Sequence, residues 1–289
     1  MPGPALTDIR GDIRDRIAAA RGFIFDMDGT IALGDRTSGG HRALPGAVAL
    51  LGAIRRRGVP LRVFTNGSAK PPAAYAASLR AAGFDLADEE MMTPSTSAAA
   101  WLVARGIRRV RVLGNGGTAA PLVEAGIEVI GPDAPAEGVE VVYTGWFREF
   151  GFTHLEAACR DIWAGARLVT ASHVPFFATE DGRGIGTSFA INAAIRALTG
   201  KRAIVLGKPS RAAFGCALAG MGLPRGAASD VVVVGDDPAL EMRMANLVGA
   251  ISVGVATGLR SLDALGTLPE KDRPLLALGG VGELAALAA

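Results

Sequence analysis

The sequence predicts an α/β protein, and three observations predict it. The stretch from Gly22 to Thr30 reads G-F-I-F-D-M-D-G-T, an apolar run with the pattern of a buried strand that ends abruptly in a polar turn. Strand-like and helix-like segments then alternate along most of the 289 residues. Four consecutive valines, 231 to 234, are β-branched without alternation, as expected of a central strand buried on both faces. In an open parallel sheet, ligands bind just beyond the carboxyl ends of the strands, which nominates Asp26 and Asp28. Alternation points these two side chains the same way and Met27 the opposite way. Like-pointing carboxylates repel, unless a divalent cation sits between them and a substrate or one of them holds a proton. An Asp-Gly turn after a core strand is also ordinary. The full D-x-D-G-T behind an apolar triplet favours chemistry.

Bulk properties narrow the function. The length suits two ordinary domains. With 30 basic and 28 acidic residues the formal charge is +2, and no basic run or aromatic-basic interleaving points to nucleic acid. Lysine occurs only at 70, 201, 208 and 271, so a lysine at a chemically required position is informative. Cys159 and Cys216 lie far apart in alanine-rich segments and read as free thiols of a reducing compartment. Asp8, Asp12 and Asp15 stand where a signal peptide needs an apolar core, and no run of about 18 uncharged apolar residues exists. The expectation is a cytoplasmic protein without a membrane segment.

Phe25-Asp26-Met27-Asp28-Gly29-Thr30 resembles the nucleophile motif of the haloacid dehalogenase superfamily of phosphohydrolases. The resemblance implies that Asp26 attacks phosphorus and that Asp28 is the general acid and base. Three further motifs are expected in order at element ends. Before the first motif, Ile9, Ile13 and Ile17 recur every four residues and predict a short amphipathic helix. Residues 32–40 read as a loop, and Pro45-Gly46 opens a helix that ends near residue 57 before Gly58. The strand 61–64 delivers Thr65-Asn66-Gly67-Ser68, similar to the second motif, T-N-x-S, of the 4-nitrophenylphosphatase-like branch. A hydroxyl and an amide NH₂ can each donate to a phosphoryl oxygen without adding charge. The same four residues are also good turn chemistry. A helix from Pro71-Pro72 to residue 82 follows, closed by Gly83.

From residue 95 a new α/β pattern begins, with helices at 96–105, 118–125 and 153–164 and strands at 110–113, 127–130, 139–143 and 167–170. It is roughly one small domain long and matches the large inserted cap of the same branch. Within it, Gly114-Asn115-Gly116-Gly117-Thr118-Ala119 fits G-x-G-x-x-G/A, with Asp133 about 20 residues on, so a dinucleotide site is a formal alternative. A lone fingerprint is weak, and turn geometry explains it better. Residues 181–188, beginning at Asp181, read as a loop feeding a helix through Leu198. Relatives carry T-N-x-D at the cap edge where this chain has Thr170-Ala171-Ser172-His173, so His173 is the candidate for substrate specificity, against the commoner role of a structural hydrogen-bond partner. His41 and His154 have no partners recognisable in the sequence.

Gly207-Lys208-Pro209-Ser210 resembles the third motif, and its lysine would neutralise charge on the transferred oxygens. A helix over 211–219 follows. After the four valines, Gly235-Asp236-Asp237-Pro238 and Glu241 resemble the fourth motif, G-D-x-x-x-x-D, with glutamate replacing the last aspartate. A helix over 244–249 and a strand over 251–255 complete the pattern.

Taken together, the resemblance implies a doubly wound, Rossmann-like parallel sheet core from residues 1–94 plus 202–289, with an α/β cap at 95–201. It implies a Mg²⁺-dependent phosphatase acting on a small phosphomonoester through an aspartyl-phosphate on Asp26. The ion would be held by the Asp26 carboxylate, the Asp28 backbone carbonyl and Asp236, with Asp237 and Glu241 as secondary candidates. Gly29, Thr65, Asn66 and Lys208 would hold the phosphoryl oxygens. Caps of this type often pair two subunits, so a homodimer through the cap is expected as an option. Three rivals stay open: a catalytically silent metabolite-binding relative, a phosphotransferase with another acceptor, and an NAD(P)-binding oxidoreductase using the turn at residues 114–119. Fold alone does not choose among sugar phosphates, nucleotides and similar esters.

Overall fold

The computed structural model describes residues 6–34, 40–179, 182–258 and 260–287. The side chain of Ile9, and Gly39 and Asp181 altogether, lie outside the described residues. Helix α1 (Leu6–Ala18) buries Ile13 and Ile17, as their spacing requires. Strand β1 (Gly22–Phe25) follows, every residue buried. Strands β2 (Ala32–Gly34) and β3 (His41–Ala43) pair antiparallel, so the stretch read as a loop at 32–40 begins with a strand; arms of three residues are too short to show alternation. Helix α2 (Ala47–Arg56) turns Ala47, Leu50, Leu51 and Ile54 inward, at the i, i+3, i+4, i+7 positions of one face. Strand β4 (Leu61–Phe64), helix α3 (Pro72–Ala81) and the two-residue strand β5 (Met91–Met92) complete this arm.

Helix α4 (Pro94–Val103), strand β6 (Arg109–Leu113), helix α5 (Gly116–Glu124), strands β7 (Glu128–Ile130) and β8 (Val141–Thr144), helix α6 (Phe152–Trp163) and strand β9 (Arg167–Thr170) come next. Strands β10 (Phe176–Thr179) and β11 (Gly182–Ile185) pair antiparallel, and β11 lies within the stretch 181–188 expected as a loop. Helix α7 (Thr187–Thr199), the short strand β12 (Ile204–Val205) and helix α8 (Arg211–Gly220) end this part. Strand β13 (Val231–Gly235) then leads into one π-helical turn (Pro238–Met242) and helix α9 (Arg243–Val248). Strand β14 (Ile251–Val255), helix α10 (Leu262–Gly266) and strand β15 (Leu276–Leu278) finish the chain's regular structure.

These elements group into two compact units. The first comprises residues 1–65, 73–92 and 217–289 and is built on a parallel six-stranded sheet of order β15-β14-β13-β1-β4-β5. Phe23 and Phe25 stack at 5.9 Å and join Val63, Val232, Val234, Ile251 and Val253 in one core with α1, α2 and α3. Ile24, Val231 and Val233 on the opposite face are also fully buried, so both faces are covered and the four valines need no alternation. The strand order moves outward from β1 through β4 to β5 and, on the other side, from β13 through β14 to β15. The reversal lies between β1 and β13, and such a switch point leaves a crevice at the carboxyl ends of the two strands.

The second unit comprises residues 66–72 and 93–216, around a parallel five-stranded sheet of order β12-β9-β8-β6-β7. Helices α4 and α5 pack with Val110, Val141, Tyr143 and Val169, while α6 and α7 pack with Leu113, Val142 and Leu168 on the other face. The boundaries expected at 94/95 and 201/202 therefore differ from this grouping. Ile204 and Val205 pair in parallel with Val169 and Thr170, and Ser68 accepts a hydrogen bond from the Trp146 amide at 3.1 Å, which ties residues 66–72 and 202–216 to the second sheet.

Candidate active site

The first unit brings two of the predicted carboxylates together. Asp26 follows β1 and Asp236 follows β13, the neighbours on either side of the switch point. The Asp26 amide donates to the Val234 carbonyl at 2.9 Å, extending the β1–β13 ladder by one rung. The fully buried Thr30 hydroxyl lies 3.1 Å from Asp26 Oδ2 and 3.5 Å from Asp236 Oδ1, so one donor sits between both acids. Sequence reasoning treated Thr30 only as part of the motif; its place at the end of D-x-D-G-T was the available signal.

Glycine at 29 has a physical cause. The turn runs at φ +82°, and a Cβ there would meet Asp236 Oδ2 at 2.6 Å. Its amide donates to the Ala32 carbonyl at 2.9 Å, and Thr257 Oγ1 donates to its carbonyl at 2.6 Å. In the structure the Gly29 N–H closes the turn, and the missing side chain makes room for Asp236. Thr257 carried no sequence signal, because it acts from a loop more than 200 residues away. Thr65 is buried at the end of β4, its amide bonded to Met92.

The secondary metal candidates do local work. Asp237 Oδ1 accepts from the Ala239 amide at 2.8 Å, capping the π-helical turn, and Glu241 Oε2 accepts from the Asp237 amide at 3.1 Å. The extra methylene of Glu241 lets its carboxylate fold back over Gly235, where a Cβ would collide with it. Among the described residues no group of three or more His, Cys, Asp or Glu side chains gathers to hold a metal ion. The expected set is two carboxylates and one backbone carbonyl. Its all-oxygen character suits a hard divalent cation, and the cradle that a Cβ at residue 29 would fill fits the same set.

In the second unit, Lys208 is 1% exposed and follows Gly207 at a cis Lys208–Pro209 peptide. Asn66 clamps its backbone: the Lys208 amide donates to Asn66 Oδ1 at 2.9 Å, and Asn66 Nδ2 donates to the Lys208 carbonyl at 3.0 Å. The amide expected to donate to a phosphoryl oxygen is engaged in positioning the lysine. His173 is exposed and meets Phe189 edge-on at 5.1 Å between centroids.

The nucleotide-like turn is filled by the chain itself. Asn115 caps α5 through the Thr118 amide and donates to the Ala69 carbonyl at 2.7 Å, Thr118 Oγ1 donates to the Ser68 carbonyl, and a Cβ on Gly117 would meet the backbone of Ala69 and Lys70 at 2.6 Å. Backbone occupies the approach that a pyrophosphate would need. Asp133, the expected ribose acid, lies 4.0 Å from His154, whose Nδ1 accepts from the Gly151 amide at the start of α6. His41, read as partnerless, lies 2.8 Å from Ser78 Oγ and 3.7 Å from Asp28.

A parallel sheet with carboxylates meeting across its switch point defines a class of α/β proteins equipped to hold a cation and an anionic, oxygen-rich substrate together. The comparisons make the class specific. A profile described as Haloacid dehalogenase-like hydrolase matches residues 23–128, and one described as HAD-hydrolase-like matches residues 205–280. The chain belongs to the haloacid dehalogenase-like hydrolases. It is 27% identical to mouse chronophin over 259 residues, covering 87% of this chain and 86% of that one. It is 32% identical to D-glycerol 3-phosphate phosphatase of Mycobacterium tuberculosis over 248 residues, covering 83% of this chain and 64% of the relative. Among solved structures, a glycerol phosphate phosphatase of Mycobacterium tuberculosis in complex with magnesium superposes with a TM-score of 0.80 at 27% identity, covering 95% of this chain and 80% of that one. A 4-nitrophenylphosphatase of Thermotoga maritima gives 0.82 at 24% identity, over 95% and 99%, a likeness of fold. No helix among the described residues is long and apolar enough to cross a membrane.

Proposed function

We propose that this chain is a Mg²⁺-dependent phosphomonoester hydrolase acting on a small phosphorylated metabolite. The observation that carries the reading is the pair Asp26 and Asp236, held around the Thr30 hydroxyl at the switch point, with Asp28 beside them and half-exposed. Asp26 is the nucleophile: one carboxylate oxygen attacks phosphorus in line, the bond from phosphorus to the ester oxygen breaks, and an aspartyl-phosphate forms. Asp28 gives its proton to the departing oxygen. Asp28, now ionised, takes a proton from water, whose oxygen attacks phosphorus, breaks the bond to Asp26 and releases inorganic phosphate. The Asp26 carboxylate, the Asp28 carbonyl and Asp236 would hold the Mg²⁺, which when bound supplies charge neutralisation for the phosphoryl oxygens. Lys208 adds a fixed positive charge for those oxygens, and Thr65 a hydroxyl donor.

Relatives named for glycerol phosphates make a short-chain alcohol phosphate the first ester to try, beside 4-nitrophenyl phosphate. The test is release of inorganic phosphate from a panel of phosphomonoesters with added MgCl₂. Turnover that disappears with chelator and in Asp26→Asn supports the reading. A folded protein releasing phosphate from no ester in the panel refutes it. Repeating the panel with His173→Ala tests whether the second unit selects substrate: a changed order of preference supports that role, and an unchanged order ends it.

A further inference from the structure

We propose that His41 is a positioning residue for Asp28, holding the acid's carboxyl group where it can protonate the leaving oxygen. The inference rests on the hydrolase reading above and adds to it a residue outside all four motifs. Asp28 has a need that Asp26 lacks: its side chain is 55% exposed, and a general acid must stay within hydrogen-bond reach of the atom it protonates.

The hairpin supplies the restraint. Asp28 forms an isolated bridge to Ala32, Ala32 pairs with Ala43, and Gly34 pairs with His41, so three backbone links carry residue 41 back to residue 28. The Leu44 amide donates to the Ile31 carbonyl at 2.8 Å and closes the far end. The His41 ring is 8% exposed, lies against Tyr75 at 6.3 Å between centroids, and has Nδ1 2.8 Å from Ser78 Oγ. With one edge held on α3, the other edge puts Nε2 3.7 Å from Asp28 Oδ1. The carboxyl oxygen that carries no proton only accepts, so the tautomer that suits Asp28 Oδ1 carries its hydrogen on Nε2, and Nδ1 then accepts from the Ser78 hydroxyl. The separation exceeds direct hydrogen-bond length by a few tenths of an ångström or more, and contacts of this kind tighten once substrate is bound.

A packing role and a positioning role part company over the leaving group. A nitrophenolate departs with little protonation, whereas phenol and alkyl alcohols depend on the acid. The experiment measures kcat/KM, which covers steps up to the phosphoenzyme, over phenyl phosphates from 4-nitrophenyl to unsubstituted phenyl and over glycerol 3-phosphate. In His41→Ala the value is expected to fall about 30-fold for phenyl and glycerol esters and less than about 3-fold for 4-nitrophenyl phosphate. Ser78→Ala should show the same selectivity with a smaller loss, and His41→Gln, whose amide can stand in for Nε2, should recover part of it. Equal losses on all esters, or no loss on any, in a variant with the parent's circular dichroism overturn the proposal. If His41→Ala does not fold, Ser78→Ala decides by the same criterion. A parent protein inactive on every ester removes the hydrolase reading and this one together, whereas an active parent with unselective variants removes this one alone.

Discussion

Replacing Thr30 by valine keeps the shape of a fully buried side chain and deletes its hydroxyl, which lies between Asp26 and Asp236. A hydroxyl has one proton, so it serves one carboxylate at a time, and the 3.1 Å approach to Asp26 Oδ2 is better than the 3.5 Å approach to Asp236 Oδ1. A hydrogen bond to a charged acceptor is worth about 1.5–3 kcal/mol. If that energy acts on the orientation of a metal ligand, it corresponds to about 10- to 100-fold in affinity for the ion, the range seen when supporting partners of ligands are lost. The assay is the melting temperature as a function of MgCl₂ concentration. An ion that binds only the folded state raises stability as RT ln(1 + [L]/Kd), so the variant's curve should move to about 10- to 100-fold higher Mg²⁺. Phosphate release should show the same displacement. A variant that melts lower at every concentration, with the Mg²⁺ dependence unmoved, would refute the argument and leave Thr30 a packing residue.

Other perturbations separate the remaining contacts. Asn66→Ala removes both hydrogen bonds to the Lys208 backbone and should lower the unfolding midpoint by the equivalent of about 2 kcal/mol, with kcat falling more than KM rises; an unchanged kcat would detach Asn66 from the lysine's function. Asp161→Ala strands the buried Arg111 guanidinium, now 2.5 Å away, and should cost about 3–5 kcal/mol in urea unfolding; a loss below about 1 kcal/mol would show that water or backbone compensates. The Arg243 guanidinium, bonded to both oxygens of Asp272, holds that carboxyl below its ordinary value of 3.8. A depressed folded-state value stabilises the protein above the unfolded value and is lost as pH falls through the folded one. The melting difference between the parent and Asp272→Asn, worth about 1 kcal/mol near neutrality, should therefore hold down to about pH 4 and shrink as the pH falls further through the folded value; a difference that stays unchanged well below about pH 3 would contradict the assignment. Glu241→Asp pulls the carboxylate away from the Asp237 amide, and melting should drop while the Mg²⁺ midpoint moves far less than in Thr30→Val; the reverse pattern would make residue 241 a metal-site group.

What the sequence revealed, and what it hid, follows from the range of the interactions involved. Strands β1, β4 and β13 were legible because a strand buried on both faces demands an apolar run, and polar residues end each run abruptly. Asp26 and Asp236 could be placed on that basis alone, since neighbouring parallel strands put their carboxyl ends side by side. Strand β5, two residues long, and β15, three residues long and partly exposed, carry too few side chains to show any period. An amide such as that of Asn66 reads the same in the sequence whether it donates to a ligand or to a backbone carbonyl 142 residues away, and the fold supplies the second contact.

His41 is the more instructive omission. Its relation to Asp28 depends on the register of a hairpin whose arms hold three residues each, so a slip of one position in β3 would turn the imidazole to the other side of the ribbon. Periodicity does not encode such a register, and a motif search ends at Thr30. The four motifs contain the groups proposed to meet phosphorus and the ion. Thr30, which lies over Asp26, closes the first motif itself, whereas Thr257 on the Gly29 carbonyl and His41 against Asp28 come from segments that no motif includes.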